Sequence, residues 1–294
     1  MRRPRVSILA SLCTLGNALC GFGAITLTAK ALLLEDTARA TYQTEIIWAS
    51  LLVILAMVFD ALDGRVARFA RATSDFGGQL DSLADAISFG LAPAFIMNRI
   101  VVEGLNDSPS MGPARLLWIA WVCAAVYMGC ALIRLARFNA ENVHDEEAHL
   151  SFKGLPSPAA AGALVSLCIV MVQFCTDPEP GLCTGIMLWT LPMVAVILGL
   201  LMVSNVRYLH LLNQFVRGRR PVGHLVLIVF GIAVMLVLAV VLREVILAVG
   251  FGLYVLSGPA AALGRRILGR RGPTAGTPPP GAGVLPPSAS GTTG

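Results

Sequence analysis

Charged side chains are scarce in this sequence of 294 residues: Asp, Glu, Lys and Arg together make up 13% of it, whereas 56% is hydrophobic and the mean hydropathy is +0.76. This balance excludes an ordinary soluble domain, in which about a quarter of the residues are charged. None of the seven cysteines shows the paired spacing that is typical of metal sites, and the sequence contains no internal repeat. The composition is that of an integral membrane protein.

Eight apolar segments are long enough to cross a hydrocarbon core of about 30 Å, which takes about 20 helical residues. They cover residues 7–33, 46–69, 79–99, 116–138, 157–176, 183–205, 223–242 and 244–262. We therefore predict an all-α polytopic bundle of about eight transmembrane helices. The first segment lacks the small-residue cleavage site of a signal peptide, so we expect it to remain in the protein.

The basic residues predict the orientation of the bundle, because Lys and Arg near the ends of spans tend to stay in the cytoplasm. With eight spans and the N-terminus inside, 17 of the 22 Lys and Arg residues lie on the cytoplasmic side. Both termini are then cytoplasmic and the protein is a multi-pass protein of the cell (inner) membrane. The net charge of +5 suits contact with an anionic inner leaflet of the lipid bilayer and calls for no nucleic-acid partner.

The cysteines lie mostly inside apolar segments and are interpreted as small core residues. Cys175 and Cys183 flank a short outside loop, TDPEPGL, and their separation permits a disulfide bond. After the apolar segments, residues 272–294 consist largely of Pro, Gly, Ser and Thr with little to bury, so we predict a disordered tail.

Four aspartates interrupt the apolar pattern, and each such residue within a span costs at least about 2.5–3.5 kcal/mol unless it has partners. They are Asp60, Asp63, Asp81 and Asp85. The members of each pair are three or four residues apart, so each pair lies on one face of its own helix. A short turn over residues 70–78 makes the two helices antiparallel neighbours, and the two acidic faces then meet.

Four converging carboxylates repel one another unless cations lie between them, and ligands that are all oxygen suit Mg²⁺ or Mn²⁺. We therefore predict a pair of divalent ions. An EF-hand is excluded, because its acids alternate at every second position of a loop. A purely structural role is the alternative, since lone intramembrane aspartates often form salt bridges and Arg65, Arg68 and Arg71 are near in sequence.

The position of the aspartates along the second span predicts a site that opens to the cytoplasm. Asp60 lies about 21 Å from the outer end of its span at 1.5 Å per residue, near the inner edge of the core. Gly64 leaves space for a phosphate oxygen, and Arg68, one turn further on, can neutralise it. Metals, a glycine and an arginine together describe a pyrophosphate site.

At this point the spacing resembles a known family. The pattern is similar to the complete signature of the CDP-alcohol phosphatidyltransferases. It runs Asp60-Ala-Leu-Asp63-Gly64-Arg-Val-Ala67-Arg68, then eight residues, Gly77, three residues, Asp81, three residues and Asp85. The resemblance implies that the four aspartates hold two divalent ions on the pyrophosphate of a CDP-linked lipid, and that Asp85 is the base toward the incoming alcohol. It also implies a set of residues that bind the CDP-lipid: Gly64, Ala67, Arg68, Ser74, Gly77 and Asn17.

Three further stretches resemble the membrane-spanning phosphatidylserine synthases of that family. They are SFGLAPA at 88–94, ALIRLARFNA at 131–140 and FKGLPSPAAAG at 152–162. The resemblance implies transfer of the phosphatidyl group from CDP-diacylglycerol to the hydroxyl of L-serine, with phosphatidylserine and CMP as products, and a homodimer. Arg134, Arg137 and Asn139, at the inner end of the fourth span, are candidate contacts for the serine carboxylate. Ordinary snorkelling anchors are the alternative for the two arginines.

The resemblance also divides the chain into parts. Residues 1–205 form the catalytic helical domain, residues 206–271 an additional transmembrane hairpin with basic flanks, and residues 272–294 the tail. Another acceptor, such as inositol phosphate or glycerol phosphate, is the nearest alternative function. A UbiA-like prenyltransferase or an ion transporter also uses intramembrane carboxylates, but neither explains the fixed glycine, alanine and arginine positions between them.

Overall fold

The computed structural model describes the backbone of residues 4–31, 39–70, 75–107, 115–142, 154–175, 182–206 and 245–267, and within these residues it is all-helical. Eight α-helices lie in this part of the chain. They are α1 Pro4–Lys30, α2 Arg39–Ala70, α3 Asp75–Asp85, α4 Ala92–Asp107, α5 Arg115–Asn142, α6 Ser157–Phe174, α7 Leu182–Val203 and α8 Val245–Ile267. A π-helical turn, Ala86–Leu91, joins α3 directly to α4.

In the described part of the chain, six helical stretches are long and apolar enough to cross a membrane, so the chain is a multi-pass membrane protein. They are Ser11–Lys30, Thr41–Gly64, Phe76–Leu105, Arg115–Ala140, Ser157–Phe174 and Cys183–Val203. These six agree with the first six predicted spans. The seventh, at 223–242, lies outside the described residues, as do both termini and the tail; at the eighth, the apolar part of α8 is the shorter stretch Ala248–Leu263.

The bundle interior is rich in small residues, which let apolar helices approach one another closely. On the neighbouring helices α1 and α2, Ala24, Ala49 and Ala56 are fully buried. Large apolar side chains such as Trp118 and Trp121 on α5 remain exposed. Since no aqueous surface favours such side chains, this outward apolar face suits contact with lipid.

The connection between α2 and α3 is shorter than predicted. The sequence predicts a turn over residues 70–78, but α3 begins at Asp75, and Gly77 and Gly78 are helical. Glycine costs only about 1 kcal/mol in a helix relative to alanine, and the packing of α3 against α1 can offset that cost. The consequence is that the acidic face of α3 starts close to the end of α2.

The π-helical turn is the main irregularity of the third span. Its hydrogen bonding skips one residue more than an α-helix, because the Ala92 N–H donates to the Ile87 carbonyl. Three consecutive residues of the turn, Ser88, Phe89 and Gly90, are buried, so the turn lies inside the bundle. The turn follows Asp85 immediately.

The segment before α6 is fastened to the end of α7. Gly154 has a φ of 92°, a backbone conformation that residues other than glycine rarely adopt. A Cβ atom added at this position would collide with the Met202 carbonyl. The Gly154 and Leu155 N–H groups donate to the Val206 and Leu201 carbonyls at 2.9 and 3.0 Å. These contacts fix where α6 begins.

At the other end of α6, Cys175 and Cys183 form the disulfide bond that their spacing permits. It joins the end of α6 to the start of α7. The other five cysteines are free, and only Cys20 and Cys168 among them are buried. Of the paired two, Cys175 is also buried in the core, whereas Cys183 is exposed and is therefore not a core residue.

Candidate active site

Three of the four predicted metal ligands come together between α2 and α3. Carboxylate oxygens of Asp60, Asp63 and Asp81 all lie within 4.8 Å of one another. The helical spacing of each pair and the short α2–α3 connection explain this approach, since the two acidic faces lie opposite each other. Asp85 lies outside this triad, although it is near enough to interact electrostatically with all three members.

The triad contains oxygen atoms without hydrogen-bond partners. Asp63 is only 4% exposed, and its carboxylate accepts hydrogen bonds from the Thr14 side chain and the Gly64 backbone. Its Oδ2 atom and Oδ1 of Asp81 are nevertheless buried without a hydrogen-bond donor among the described residues. Buried carboxylate oxygens that lack donors and face like charges are unfavourable unless a cation binds them. An all-oxygen donor set of this kind fits a divalent ion such as Mg²⁺ or Mn²⁺.

Asp85 is held by α1 rather than by the triad. Nδ2 of Asn17 donates to Oδ1 of Asp85 at 2.9 Å, and both residues are buried. The Asn17 backbone carbonyl accepts a second hydrogen bond, from Oγ of Ser88, at 2.8 Å. The sequence groups Asn17 with the CDP-lipid contacts, and this stays a prediction; in the structure its amide nitrogen donates to Asp85.

Close packing at Gly21 allows this arrangement. A Cβ atom at Gly21 would lie 2.5 Å from Oγ and 2.8 Å from Cα of Ser88. Any larger residue would therefore push α1 away from the third span, and with it the Asn17 side chain.

The predicted CDP-lipid residues are described only in part. A Cβ atom built at Gly64 would meet nothing within 4 Å, so open space lies beside the triad at this position. Gly77 lies in the first turn of α3. The side chains of Ala67 and Arg68, and the whole of Ser74, lie outside the described residues.

Arg134 reaches the aspartates from the end of α5. Its Nη1 donates to Oγ of Ser157 at 2.9 Å, and its buried Nε makes no hydrogen bond within the described part of the chain. The guanidinium interacts electrostatically with Asp85 and Asp60. A half-buried arginine with a spare donor near two carboxylates can bind an anionic group.

Tyr254 of α8 is a neighbour of Arg134 that sequence reasoning missed. It interacts electrostatically with the guanidinium, and α8 packs on α6, where Phe251 covers Gly162. No motif surrounds Tyr254, and its segment was interpreted as a separate hairpin. Only the packing of α8 brings this tyrosine to the site.

The other two candidate acceptor residues lie nearer the end of α5. Nδ2 of Asn139 donates to Oγ of Ser82 at 2.8 Å, which links α5 to α3 at a position between Asp81 and Asp85. Arg137 is half-buried one turn beyond Arg134. Arg134 thus interacts electrostatically with two of the aspartates, whereas Asn139 is linked to the helix of Asp81 and Asp85 by its hydrogen bond to Ser82.

Comparisons with known proteins agree with this geometry. The pattern of the family described as CDP-alcohol phosphatidyltransferase matches residues 7–197. A CDP-diacylglycerol–serine O-phosphatidyltransferase from Mycobacterium tuberculosis is 37% identical over 129 residues, which are 43% of this chain and 41% of that protein. A protein of the same name from Helicobacter pylori is 39% identical over 165 residues, 56% of this chain and 61% of that protein.

A third protein of that name, from Bacillus subtilis, is 30% identical over 165 residues, which are 56% of this chain and 75% of that protein. The aligned segments thus span less than two thirds of the mycobacterial and Helicobacter pylori proteins.

Proposed function

Because this chain belongs to the CDP-alcohol phosphatidyltransferase family, we propose that it transfers the phosphatidyl group of CDP-diacylglycerol to the hydroxyl group of L-serine, giving phosphatidylserine and CMP. The family predicted from the aspartate spacing is confirmed by the match. The observation that carries the proposed reaction is the aspartate triad, in which Asp63 is buried, with Arg134 near it.

The proposed cofactor is a pair of Mg²⁺ or Mn²⁺ ions, with Asp60, Asp63, Asp81 and Asp85 as their ligands. When bound, such ions neutralise the pyrophosphate and stabilise CMP as the leaving group. The unpartnered oxygens of Asp63 and Asp81 support this assignment. Because the triad is closed by helix packing, its oxygens are oriented before the substrate arrives, which lowers the reorganisation needed for the reaction.

Asp85 is the proposed base that accepts the proton of the serine hydroxyl as this oxygen attacks the phosphorus atom bonded to diacylglycerol. Its separation from the triad supports the role, since a carboxylate fully committed to metal charge is a poor base. The hydrogen bond from Asn17 holds one of its oxygens, and thereby orients the other. Loss of the proton to Asp85 and departure of CMP complete the transfer.

The proposed contacts of the CDP-lipid remain Gly64, Ala67, Arg68, Ser74, Gly77 and Asn17. The open space beside Gly64 supports the approach of a phosphate oxygen there. We propose that the acyl chains stay in the bilayer against the exposed apolar side chains of the bundle. Only the head group then enters the polar site.

The cytoplasmic orientation of the site is also proposed. Disulfide bonds persist in oxidising compartments. The Cys175–Cys183 bond lies at the end of α6 opposite Ser157, the partner of Arg134, so an outward-facing disulfide puts the site on the inner side of the membrane. The excess of Arg and Lys in the predicted inner segments supports the same orientation.

We also propose the predicted domain division, the eight spans and a homodimer. Helix α8 packs on α6, which supports counting α8 as part of the catalytic domain and not as part of a separate hairpin after residue 205. Inositol phosphate or glycerol phosphate, as the alternative acceptor, would need a second cationic pocket. Arg134 interacts electrostatically with Asp60 and Asp85 and can pair with the serine carboxylate, which supports serine.

A head-group competition tests the proposed function. Purified protein in detergent, with CDP-diacylglycerol and Mn²⁺ or Mg²⁺, is offered serine, inositol phosphate and glycerol phosphate separately while CMP release is followed. We expect release with serine alone and none after chelation. Release with a phosphorylated acceptor instead would overturn the choice of serine but leave the transferase chemistry standing.

Arg134→Ala is expected to raise the KM for serine by about 10- to 100-fold, because a charge-assisted hydrogen bond to the serine carboxylate is lost. The KM for CDP-diacylglycerol should change much less. Arg115→Ala removes an exposed arginine from the other end of the same helix and serves as the control, with both KM values unchanged. Equal increases in both KM values for Arg134→Ala would indicate a general structural role.

A further inference from the structure

The π-helical turn Ala86–Leu91 lies between the aspartates at the end of α3, Asp81 and Asp85, and the buried helix α4. Residues on α4 such as Ile96, Met97 and Ile100 are almost fully buried and anchor that helix in the core. On α3, by contrast, Phe76 and Leu83 are exposed. If the turn relaxed to α-helical bonding, α3 would rotate relative to the anchored α4 by about 100°, the angle of one residue.

Such a rotation would carry Asp81 and Asp85 away from Asp60 and Asp63, which lie on α2. The π-helical turn therefore sets the direction in which the aspartates of α3 point. What stabilises the turn then decides whether the site is assembled.

The carbonyl group of Phe89 inside the turn cannot be paired by regular α-helical bonding. In an α-helix it would accept a hydrogen bond from the residue four positions later, but that residue is Pro93, which has no N–H. The environment is apolar and Phe89 is fully buried, so water does not replace the missing donor easily. The hydroxyl of Tyr127 on α5 donates to this carbonyl at 3.0 Å, and Tyr127 is itself fully buried.

A second contact ties the same turn to Asp85. The Ser88 hydroxyl donates to the Asn17 carbonyl, and the Asn17 amide donates to Asp85. The turn is thus fastened to α5 through Tyr127 and to α1 through Ser88. A shift of the turn would therefore move Asp85 and, through Ser88, the Asn17 residue whose amide donates to it.

We propose that Tyr127 is a positioning residue, whose hydroxyl holds the π-helical turn in the form that aims Asp81 and Asp85 at the aspartates of α2. The proposal rests on the proposed function for its catalytic consequence. Its geometric consequence, assembly of the acidic cluster, does not depend on which alcohol is the acceptor.

Tyr127→Phe removes the hydroxyl and keeps the ring. We expect kcat for serine-dependent CMP release to fall about tenfold, with both KM values within about twofold of the wild type, because the base is misdirected while the substrates still bind. Rates are measured well below the melting temperature of each variant. Tyr42→Phe, a buried tyrosine at the opposite end of α2 from the aspartates, is the control and should leave kcat unchanged.

A second readout separates this inference from the proposed function. The Mn²⁺ concentration that gives half of the maximal thermal stabilisation is measured without substrate, and Tyr127→Phe is expected to raise it at least about threefold, since Asp81 moves with the turn. A wild-type protein inactive with every acceptor would overturn the function, yet this shift would still support the positioning role. Unchanged kcat in an active enzyme, or an unchanged Mn²⁺ midpoint, would overturn the positioning role.

A double-mutant cycle distinguishes positioning from general stabilisation. If Tyr127 acts on Asp85, then Tyr127→Phe should lower kcat less in an Asn17→Ala background than in the wild type, because Asn17→Ala already frees Asp85. Multiplicative losses would contradict the proposal. Should Tyr127→Phe fail to fold, Ser88→Ala removes the other fastening of the turn, and the same loss of kcat with unchanged KM is expected; an unchanged kcat in that variant also counts against the proposal.

Discussion

Asp85→Asn is expected to lower the rate of serine-dependent CMP release by about 10²–10⁴-fold, the usual contribution of a general base. The substituted amide has nearly the same size, and its oxygen can still accept the hydrogen bond that Asn17 donates. The change also removes one negative charge from a group of four neighbouring carboxylates. Folding and thermal stability without metal should therefore be preserved or improved.

The measurement is CMP release by purified wild-type and variant protein at saturating substrate, together with a thermal unfolding curve for each. Glu103→Gln makes the same change of charge in a glutamate that pairs with Arg99 on α4, remote from the triad, and controls for detergent and expression effects. Full activity in Asp85→Asn would remove Asp85 from the role of base. A loss of activity together with a collapse of the unfolding transition would indicate a structural role instead.

Asp63→Asn is expected to remove most of the metal-dependent stabilisation and to lower activity by at least about 100-fold, because loss of one charged ligand costs several kcal/mol of metal-dependent charge stabilisation. Asp63 is the most buried member of the triad, and one of its oxygens lacks a protein partner. A ligand present at 100 times its Kd stabilises the folded state by about 2.7 kcal/mol, so the wild type should melt at a clearly higher temperature with Mn²⁺.

The measurement is the melting temperature as a function of Mn²⁺ or Mg²⁺ concentration. Glu45→Gln alters a carboxylate on the same helix about 27 Å away along its axis, where Glu45 pairs with Lys30, and should retain the full metal-dependent shift. An undiminished shift in Asp63→Asn would show that the triad is not the metal site. In that event, something other than a metal ion would have to offset the electrostatic repulsion among the three carboxylates.

Much of the candidate site was predictable because helical periodicity is local. The three- and four-residue spacings of the aspartates, on two segments joined by a short connection, already imply that acidic faces meet. The structure brings Asp60, Asp63 and Asp81 together as that reasoning requires. The exception is Asp85, whose partner Asn17 is 68 positions away in the chain. No local spacing predicts a contact over that distance.

The positions of Tyr254 and Tyr127 depend on packing in the same way. The last apolar segment carries no motif, yet α8 brings Tyr254 to Arg134. The hydroxyl of Tyr127 matters only because Pro93 removes a donor from a carbonyl on another helix. Each residue is unremarkable by itself in the sequence.

The sequence alone determined the class of the protein, the approximate bounds of six spans and the family, because composition, apolar length and the spacing of charged residues are properties of short segments. The tertiary structure alone decided that Asp85 is held apart from the triad, that Cys175 pairs with Cys183, and that a π-helical turn lies beside the candidate base. These features depend on hydrogen bonds and packing between helices, and on where a proline leaves a buried carbonyl in need of a donor. Such contacts exist only after the helices have assembled.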